Sequence, residues 1–422
     1  MEIMLAFSLM ILFTLSTFAL ASSMQELKTW SLKELEMLKE SVQIADSIIA
    51  NDFQDISMFE NSKYGNDTEH ISIDPFVLTY SDYDEAWGRN SCYSRFEFDE
   101  DTVSYFDEGV DIGIGNSSTD IEARNGIAYL VADSTSSSQK DFFIIDARDP
   151  SNPSLVSSLN TGPGLSAIEV AGPYVFVAQA SSVNQLQIID IRDRRSPQLI
   201  SQLKLPLPTP TTTASFASSI FYSKGYIYLG TQKWNGAEFS VIDVSNPYDP
   251  VVVGMFETNT VVNDIYIRKD RAYLAAADEK QLRVLDISIK NDPLLMSSFS
   301  PSGWQTQAGR TLEYFEDRLG FGRTVGGFNV QTNHEAFLFQ DNIQQASKDI
   351  PGGVYGMLVR PESVFLLTHS TDQELQVWNP DLSERIHDMP LGSSPAKMSC
   401  DRSNLFFATG DSRGISILQL HE

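Results

Sequence analysis

The stretch Phe142-Phe143-Ile144-Ile145-Asp146-Ala147-Arg148-Asp149-Pro150-Ser151-Asn152-Pro153 decides the fold, because the chain repeats it. It returns as LQIIDIRDRRSP ending at Pro197, as FSVIDVSNPYDP ending at Pro250, and as LRVLDISIKNDP ending at Pro293. The aspartates Asp146, Asp190, Asp243 and Asp286 are spaced by 44, 53 and 43 residues. The long interval holds the Pro/Thr-rich insertion Leu205–Ser215. Around the second copy the sequence predicts four short strands: Ala167–Val170, Tyr174–Ala178, Leu186–Asp190 and Gln198–Leu203. They are β-branched and aromatic, and Gly, Pro and Asn punctuate them, as an all-β repeat requires.

A unit of roughly 40–50 residues with four strands is a β-propeller blade. Weaker units continue the rhythm at Arg310–Phe339, Tyr355–Trp378 and Ala396–Leu418, and the last lacks a fourth strand. Val103–Gly109 resembles the fourth strand Leu155–Gly162 but has no first three strands before it. Placed on the outer edge of the last unit, it closes a seven-bladed ring and removes an exposed edge. Cys92 lies just before this strand and Cys400 just after the first strand of the last blade. A disulfide between them would fasten the closure around a loop of about 300 residues, on the order of 5 kcal/mol in the entropy model. Two free buried thiols are the alternative.

The repeated aspartates sit where the third strand meets a Pro-containing turn, so each is expected to cap backbone N–H groups there. A residue that recurs in most blades serves the blade. The run Leu319–Gly327 contains GxGxxxG but no βαβ unit surrounds it, so a nucleotide loop is excluded and the glycines are expected in a tight hairpin. The five histidines (His70, His334, His369, His387 and His421) are scattered, and no metal motif, nucleophile elbow or paired-carboxylate motif stands out. No catalytic or metal-binding residue is therefore assigned. With 30 basic and 56 acidic residues, the net charge of −26 argues against nucleic acid as a partner.

The beginning of the chain has another texture. Ile3–Ala21 is almost wholly apolar, and Met24–Phe53 has neither Gly nor Pro. In the latter, Leu27, Trp30, Leu35, Leu38, Val42, Ala45, Ile48 and Ile49 recur at helical steps. One helix over this range would be about 75 Å long, and no globular core needs that. The division expected is an anchor helix over residues 1–53, an acidic connecting region over 54–101 and a propeller over 102–422. Ala19-Leu20-Ala21 also offers a signal-peptidase site, so a cleaved signal or a plain signal-anchor stay open. The acidic run Glu97, Asp99, Glu100, Asp101, Asp107, Glu108 and Asp111 could hold calcium. It lacks the spacing of an EF-hand loop, and a solvated acidic face is the simpler reading. No other cofactor is implied.

The IIDxxxPxxP motif, with its following strand and the G-x-Y hairpin, resembles the LVIVD repeat of bacterial and archaeal surface propellers. The segment Glu2-Ile3-Met4-Leu5-Ala6-Phe7-Ser8-Leu9 resembles the type IV pilin N-terminus of prepilin-type proteins, where a glutamate precedes an apolar run. That likeness implies that Glu2 is the assembly residue, meeting a neighbouring subunit's N-terminal amine; a carboxylate in an apolar bundle needs such a cation. The family places this glutamate fifth after cleavage, behind a Gly and a basic leader, and here it is second. Together the likenesses imply a non-enzymatic minor-pilin-like protein, anchored in a membrane or a pilus at the cell surface. Its implied partners are other pilin subunits through the helix and a protein or glycan ligand on the propeller face. A membrane-tethered enzyme using the central funnel, and a calcium-stabilised spacer, are the competing expectations.

Overall fold

The computed structural model describes four short strands, His70–Ile73, Phe76–Thr79, Ser91–Cys92 and Ser104–Phe106. It then describes residues 117–420 apart from 134–138, 163, 207–215, 302–306, 326–333, 393–394 and 410–413. All of these belong to one compact unit, Ser57–Glu422. The expected helix over 1–53, Glu2 and the acidic run from Glu97 lie outside the described residues. Among those described, no helix is long and apolar enough to cross a membrane.

Seven antiparallel sheets of successive strands make a seven-bladed all-β propeller. The blades run Ser118–Leu159, Leu165–Leu203, Ala217–Phe256, Val262–Phe299, Gly309–Lys348, Gly356–Met389 and Lys397–Gln419. The seventh supplies three strands, and Ser104–Phe106 adds the fourth: Ile417 pairs with Phe106, Leu418 with Tyr105 and Gln419 with Ser104. The connecting region contributes one more piece that the sequence did not suggest. Ser91–Cys92 runs parallel to the first strand of blade 7, pairing with Asp401 and Arg402, on the edge nearest the axis.

Burial follows the radius. The third strands are buried along their length, as in Phe142–Asp146 and Leu186–Asp190. A sheet sandwiched between two neighbours has no solvated face, which is why these strands read as continuous apolar runs. The outer strands are open, as in Leu294–Phe299. Between them a bulge recurs near the end of the third strand, at Ile144/Ile145, Ile188/Ile189, Val241/Ile242 and Val284/Leu285, increasing the twist that splays each blade. The core fills the wedges between blades. Across the seam that closes the ring, Phe406, Ile415 and Ile417 of blade 7 pack with Ile121, Leu130 and Phe143 of blade 1.

In blades 1–5 the inner strand is a sheet edge, and side chains of the preceding blade bond to it. Thr119 Oγ1 donates to the Leu165 carbonyl (2.7 Å), Ser166 Oγ to Ala217 (2.8 Å), Ser218 Oγ to Val262 (2.7 Å) and Asn263 Nδ2 to Gly309 (2.7 Å). Carboxylates serve the N–H groups. Asp120 accepts from Ile168 N, Glu122 from Val170 N (2.6 Å) and Asp264 from Leu312 N (2.9 Å). At the closing seam Asp401 accepts from Gly126 N (2.6 Å) and Ser399 Oγ from Ala123 N (3.1 Å).

Of the glycines of Leu319–Gly327, Gly320 and Gly322 are placed differently from expectation, and Gly326 and Gly327 lie outside the described residues. Gly320 and Gly322 lie inside the second strand of blade 5, Arg318–Arg323, facing blade 6. A Cβ on Gly320 would stand 2.2 Å from Met357 Sδ, and one on Gly322 2.6 Å from Val354 Cγ1. Close packing of blades, rather than a turn, requires them.

Asp401→Ala is expected to cost about 2–3 kcal/mol, because a charge-assisted bond is lost and a buried donor is stranded, and Asn263→Ala about 1 kcal/mol. Thermal melts of the two variants should rank in that order, and equal melts would show that the closing seam carries no special load.

Candidate functional site

The two faces of the ring are unlike. One carries the hairpins between first and second strands, two residues long in blades 1–5, and the turns between third and fourth strands, seven residues long in blades 1–4. In these turns Asp146, Asp190, Asp243 and Asp286 each accept the amide two residues on, from Arg148 (3.2 Å), Arg192 (3.0 Å), Ser245 (2.9 Å) and Ser288 (2.9 Å). The Arg148 guanidinium on Asp146 holds that carboxyl below its usual range. In blades 1–4 this turn face is uniform, and its aspartates are satisfied within their own turns. The opposite face, the mouth face, holds second-to-third connections of five to twelve residues and blade-to-blade connections of five to thirteen.

The axis itself is narrow. A cavity of about 30 Å³ lies there, lined by Asp120, Glu122, Asp264, Glu313, Lys397 and Met398 among others. It has room for about two waters and no more. Lys397 Nζ reaches Asp264 at 3.4 Å. Beneath Glu313 the fully buried Arg360 guanidinium stands 3.6 Å from its carboxylate, donates to the Val359 carbonyl (2.6 Å) and to Cys400 Sγ (3.3 Å), and covers the Phe315 ring. Cys400 is buried and disulfide-bonded. Ser91–Cys92 runs beside the turn-face end of this same inner strand. Among the described residues, no group of three or more His, Cys, Asp and Glu could hold a metal ion.

At the mouth face a ring of polar side chains, all buried except the half-buried Glu374, escaped the sequence reading. Each stands just before a third strand: Asp141, Gln185, Glu238, Gln281, Glu335 and Glu374. Most accept an amide from the chain leaving the same blade. Asp141 takes Thr161 N (2.8 Å), Gln185 takes Leu205 N (2.9 Å), Glu238 takes Thr258 N (3.0 Å), Glu335 takes Ile350 N (2.8 Å) and Glu374 takes Leu391 N (3.2 Å). The signal was present as an Asp, Glu or Gln at the foot of every IID-type strand, one residue outside the motif. Burial pushes the Asp141 carboxyl up to about 6 and the Glu335 carboxyl up to about 7.

Blade 5 breaks the repeat most. Arg323, fully buried, donates Nε to the His334 carbonyl (2.5 Å) and lies over the Phe337 ring, and burial lowers it to about 10. Gln307 Nε2 donates to Glu335 Oε1 (2.7 Å) while its own Oε1 is buried without a partner. An amide flip there would let Gln307 accept a hydrogen bond from a neutral Glu335. Arg310 occupies the position of Thr119, Ser166, Ser218 and Asn263, yet it bonds to no next-blade carbonyl. Its guanidinium carbon stands 5.7 Å from the Tyr355 ring centre, and Tyr355 stacks on His369 at 3.6 Å.

The LVIVD repeat profile matches residues 117–161, 166–204, 216–258 and 262–300. Four blades carry LVIVD repeats. The match ends where the Asp turn ends. In blade 5 the third strand stops at Gln340, and a two-residue turn of Asp341 and Asn342, both at positive φ, replaces the seven-residue one. A search of curated proteins found no match. Among solved structures the propeller is similar to the WD40 repeats of RRP9 (TM-score 0.56, 12% identity), covering 76% of this chain and 98% of that one. It is also similar to the periplasmic gluconolactonase PpgL of Pseudomonas aeruginosa (0.54, 13%), covering 69% and 88%. A third likeness is to a protein described as a 6-phosphogluconolactonase from Bacteroides fragilis (0.54, 9%), covering 66% and 85%. At these identities the likeness shows the fold alone. It nevertheless corrects one expectation: absence of enzymatic activity does not follow from a regular seven-bladed ring, since propellers of this architecture named as gluconolactonases are enzymes.

The raised acids make a stability test. A carboxyl that protonates more readily when folded stabilises the protein at low pH, and that contribution is lost as pH rises through its folded value. For Glu335 the window runs from 4.5 to about 7. Glu335→Gln is therefore expected to flatten the fall of Tm across pH 4.5–7, and a variant whose Tm falls as steeply as the parent's would refute the assignment.

Proposed function

We propose that this chain is a surface-displayed binding propeller that engages a protein or glycan ligand through its mouth face. The observation that carries the reading is the contrast between faces. In blades 1–4 the turn-face connections are alike, two residues between first and second strands and seven between third and fourth, whereas those on the mouth face vary in length from blade to blade, as a rigid scaffold presenting recognition loops requires. The repeat-breaking Arg310, Arg323, Tyr355 and His369 there support it.

The display is proposed to come from the N-terminal segment, as a pilin-like subunit at the cell surface whose Glu2 meets a neighbouring subunit. The apolar run Ile3–Ala21 and the amphipathic run Met24–Phe53 support this. The bond made by Cys400 is proposed to be with Cys92, the chain's other cysteine, fastening the last blade to the incoming chain. The acidic surface keeps nucleic acid off as a partner and suits an extracellular setting.

Two measurements bear on this. Glu2→Ala is expected to leave the full chain in the membrane fraction while removing it from surface filaments recovered by shearing; an undiminished filament fraction would defeat the pilin part. Cells displaying the full chain are expected to attach at least tenfold less to protein- and glycan-coated surfaces when bulk is added at the mouth face by Val325→Trp or Ser370→Trp. Arg195→Trp, on the turn face, should leave attachment unchanged, and the reverse pattern would assign the wrong face.

A further inference from the structure

We infer that Arg310, Tyr355 and His369 form a site at the mouth of the axis for a small organic monocarboxylate. The inference rests on the reading of the mouth face as the working surface, and deepens it by naming a ligand class.

The first reason is an unmet donor. Arg310 is half-buried in the inner strand of blade 5, and its Nε is a buried N–H without a hydrogen-bond partner. Among the described residues the guanidinium has no carboxylate partner, in a chain with 26 more negative than positive charges. Acids are abundant around the axis: Asp120 and Asp264 are both spoken for by neighbouring-blade amides, and Glu313 faces Arg360. An arginine left without an acid here is poised for an anion from outside, since burying a guanidinium with an open donor is costly otherwise.

The second reason is its departure from the repeat. In blades 1–4 the equivalent side chain stitches two blades together through a carbonyl of the next inner strand. At this position blade 5 gives up the stitch and turns the side chain over the Tyr355 ring. Tyr355 is fixed in turn by its stack on His369, whose Nε2 lies 3.2 Å from the Pro395 carbonyl. Three residues from three blade ends thus meet: Arg310 at the start of blade 5, Tyr355 before blade 6, and His369 after its second strand. The exposed face of the imidazole offers a flat surface to the body of a ligand whose charged end lies on the guanidinium.

Charge and shape select the ligand. A planar guanidinium matches a carboxylate through two parallel N–H···O bonds. The nearby axial carboxylates and the net charge repel every anion in proportion to its charge, so a monoanion is preferred to a dianion such as phosphate. The axial cavity is too small for the ligand's body, which therefore stays at the mouth.

The test uses the full chain in nonionic detergent, with glucuronate as the monocarboxylate probe, glucose as its neutral counterpart and inorganic phosphate as the dianion. Titration calorimetry is expected to show glucuronate binding, at least tenfold weaker binding of glucose and phosphate, and at least a tenfold loss for glucuronate in Arg310→Gln. Histidine-selective NMR supplies a second readout. Burial lowers the His369 imidazole, and the Arg310 charge adds to that, while Glu374 opposes it. Glucuronate should therefore raise the titration midpoint of His369 in the parent, and Arg310→Gln alone should raise it without ligand. No heat and no His369 response with glucuronate, or equal responses in Arg310→Gln, would overturn the inference. So would tighter binding of phosphate. If the carboxylate response fails while cell attachment still falls in Ser370→Trp, the inference fails alone and the wider reading stands. A carboxylate response that persists when attachment ignores the mouth face supports the site and sinks the wider reading.

Discussion

Seven inner strands stand around one axis, and each presents a row of backbone N–H and C=O groups towards it, which only in blade 7 meets a further strand, the two residues Ser91–Cys92. Everything else in this propeller accommodates that exposed edge. Where Asp120, Glu122, Asp264 and Glu313 line the axial cavity, water can serve it little, because that cavity has space for about two molecules. Side chains of the preceding blade do so instead: hydroxyls and an amide for the carbonyls, carboxylates for the amides. The acidic axis, which a cursory view would take for a cation site or a catalytic centre, is in this light the complement of an edge of donors. Asp120, Glu122 and Asp264 are committed to backbone amides, and Glu313 faces the buried Arg360.

The same constraint explains why departures from it are informative. Where a blade can do without a stitch, the position is released for other use, and Arg310 occupies the released position in blade 5. That blade also carries the buried Arg323 and Glu335, the paired glycines against blade 6, and the two-residue turn at Asp341–Asn342. Symmetry supplies stability to the first four blades, and the later blades carry the individuality of the mouth face. Of the two faces, the turn face is made rigid by aspartates that accept amides within their own turns.

The ring was readable because strand period and turn chemistry are local. Asp146, Asp190, Asp243 and Asp286 stand at one point in each unit, and the orphan strand near Tyr105 had the pattern of the strand missing at the C-terminus. What escaped has a physical reason in each case. Thr119, Ser166, Ser218 and Asn263 are ordinary strand residues until their neighbours across a blade gap are known. The polar ring from Asp141 to Glu374 is a single position beside a strong apolar signal, and such a signal draws the eye away from its flank. Ser91–Cys92 is two residues long, too short for any period to register. Arg310, Tyr355 and His369 are spread over some sixty positions and meet through blade geometry alone. The glycines of blade 5 were noticed, but their reason is a neighbouring blade that a linear string does not display.

One consequence of the closing strand concerns time rather than structure. Tyr105 pairs with Leu418, so the contact that finishes the ring joins nearly the first propeller residue to nearly the last. A chain that emerges from the ribosome or a translocation channel in order can fold blades one by one, but the flank of blade 1 bearing Ile121, Leu130 and Phe143 has no cover until Phe406, Ile415 and Ile417 arrive. Contacts of such sequence separation form slowly, and an uncovered apolar flank in the interval invites association with other chains. Folding of this protein thus has a vulnerable waiting period, whose length is set by how fast its final twenty residues are delivered.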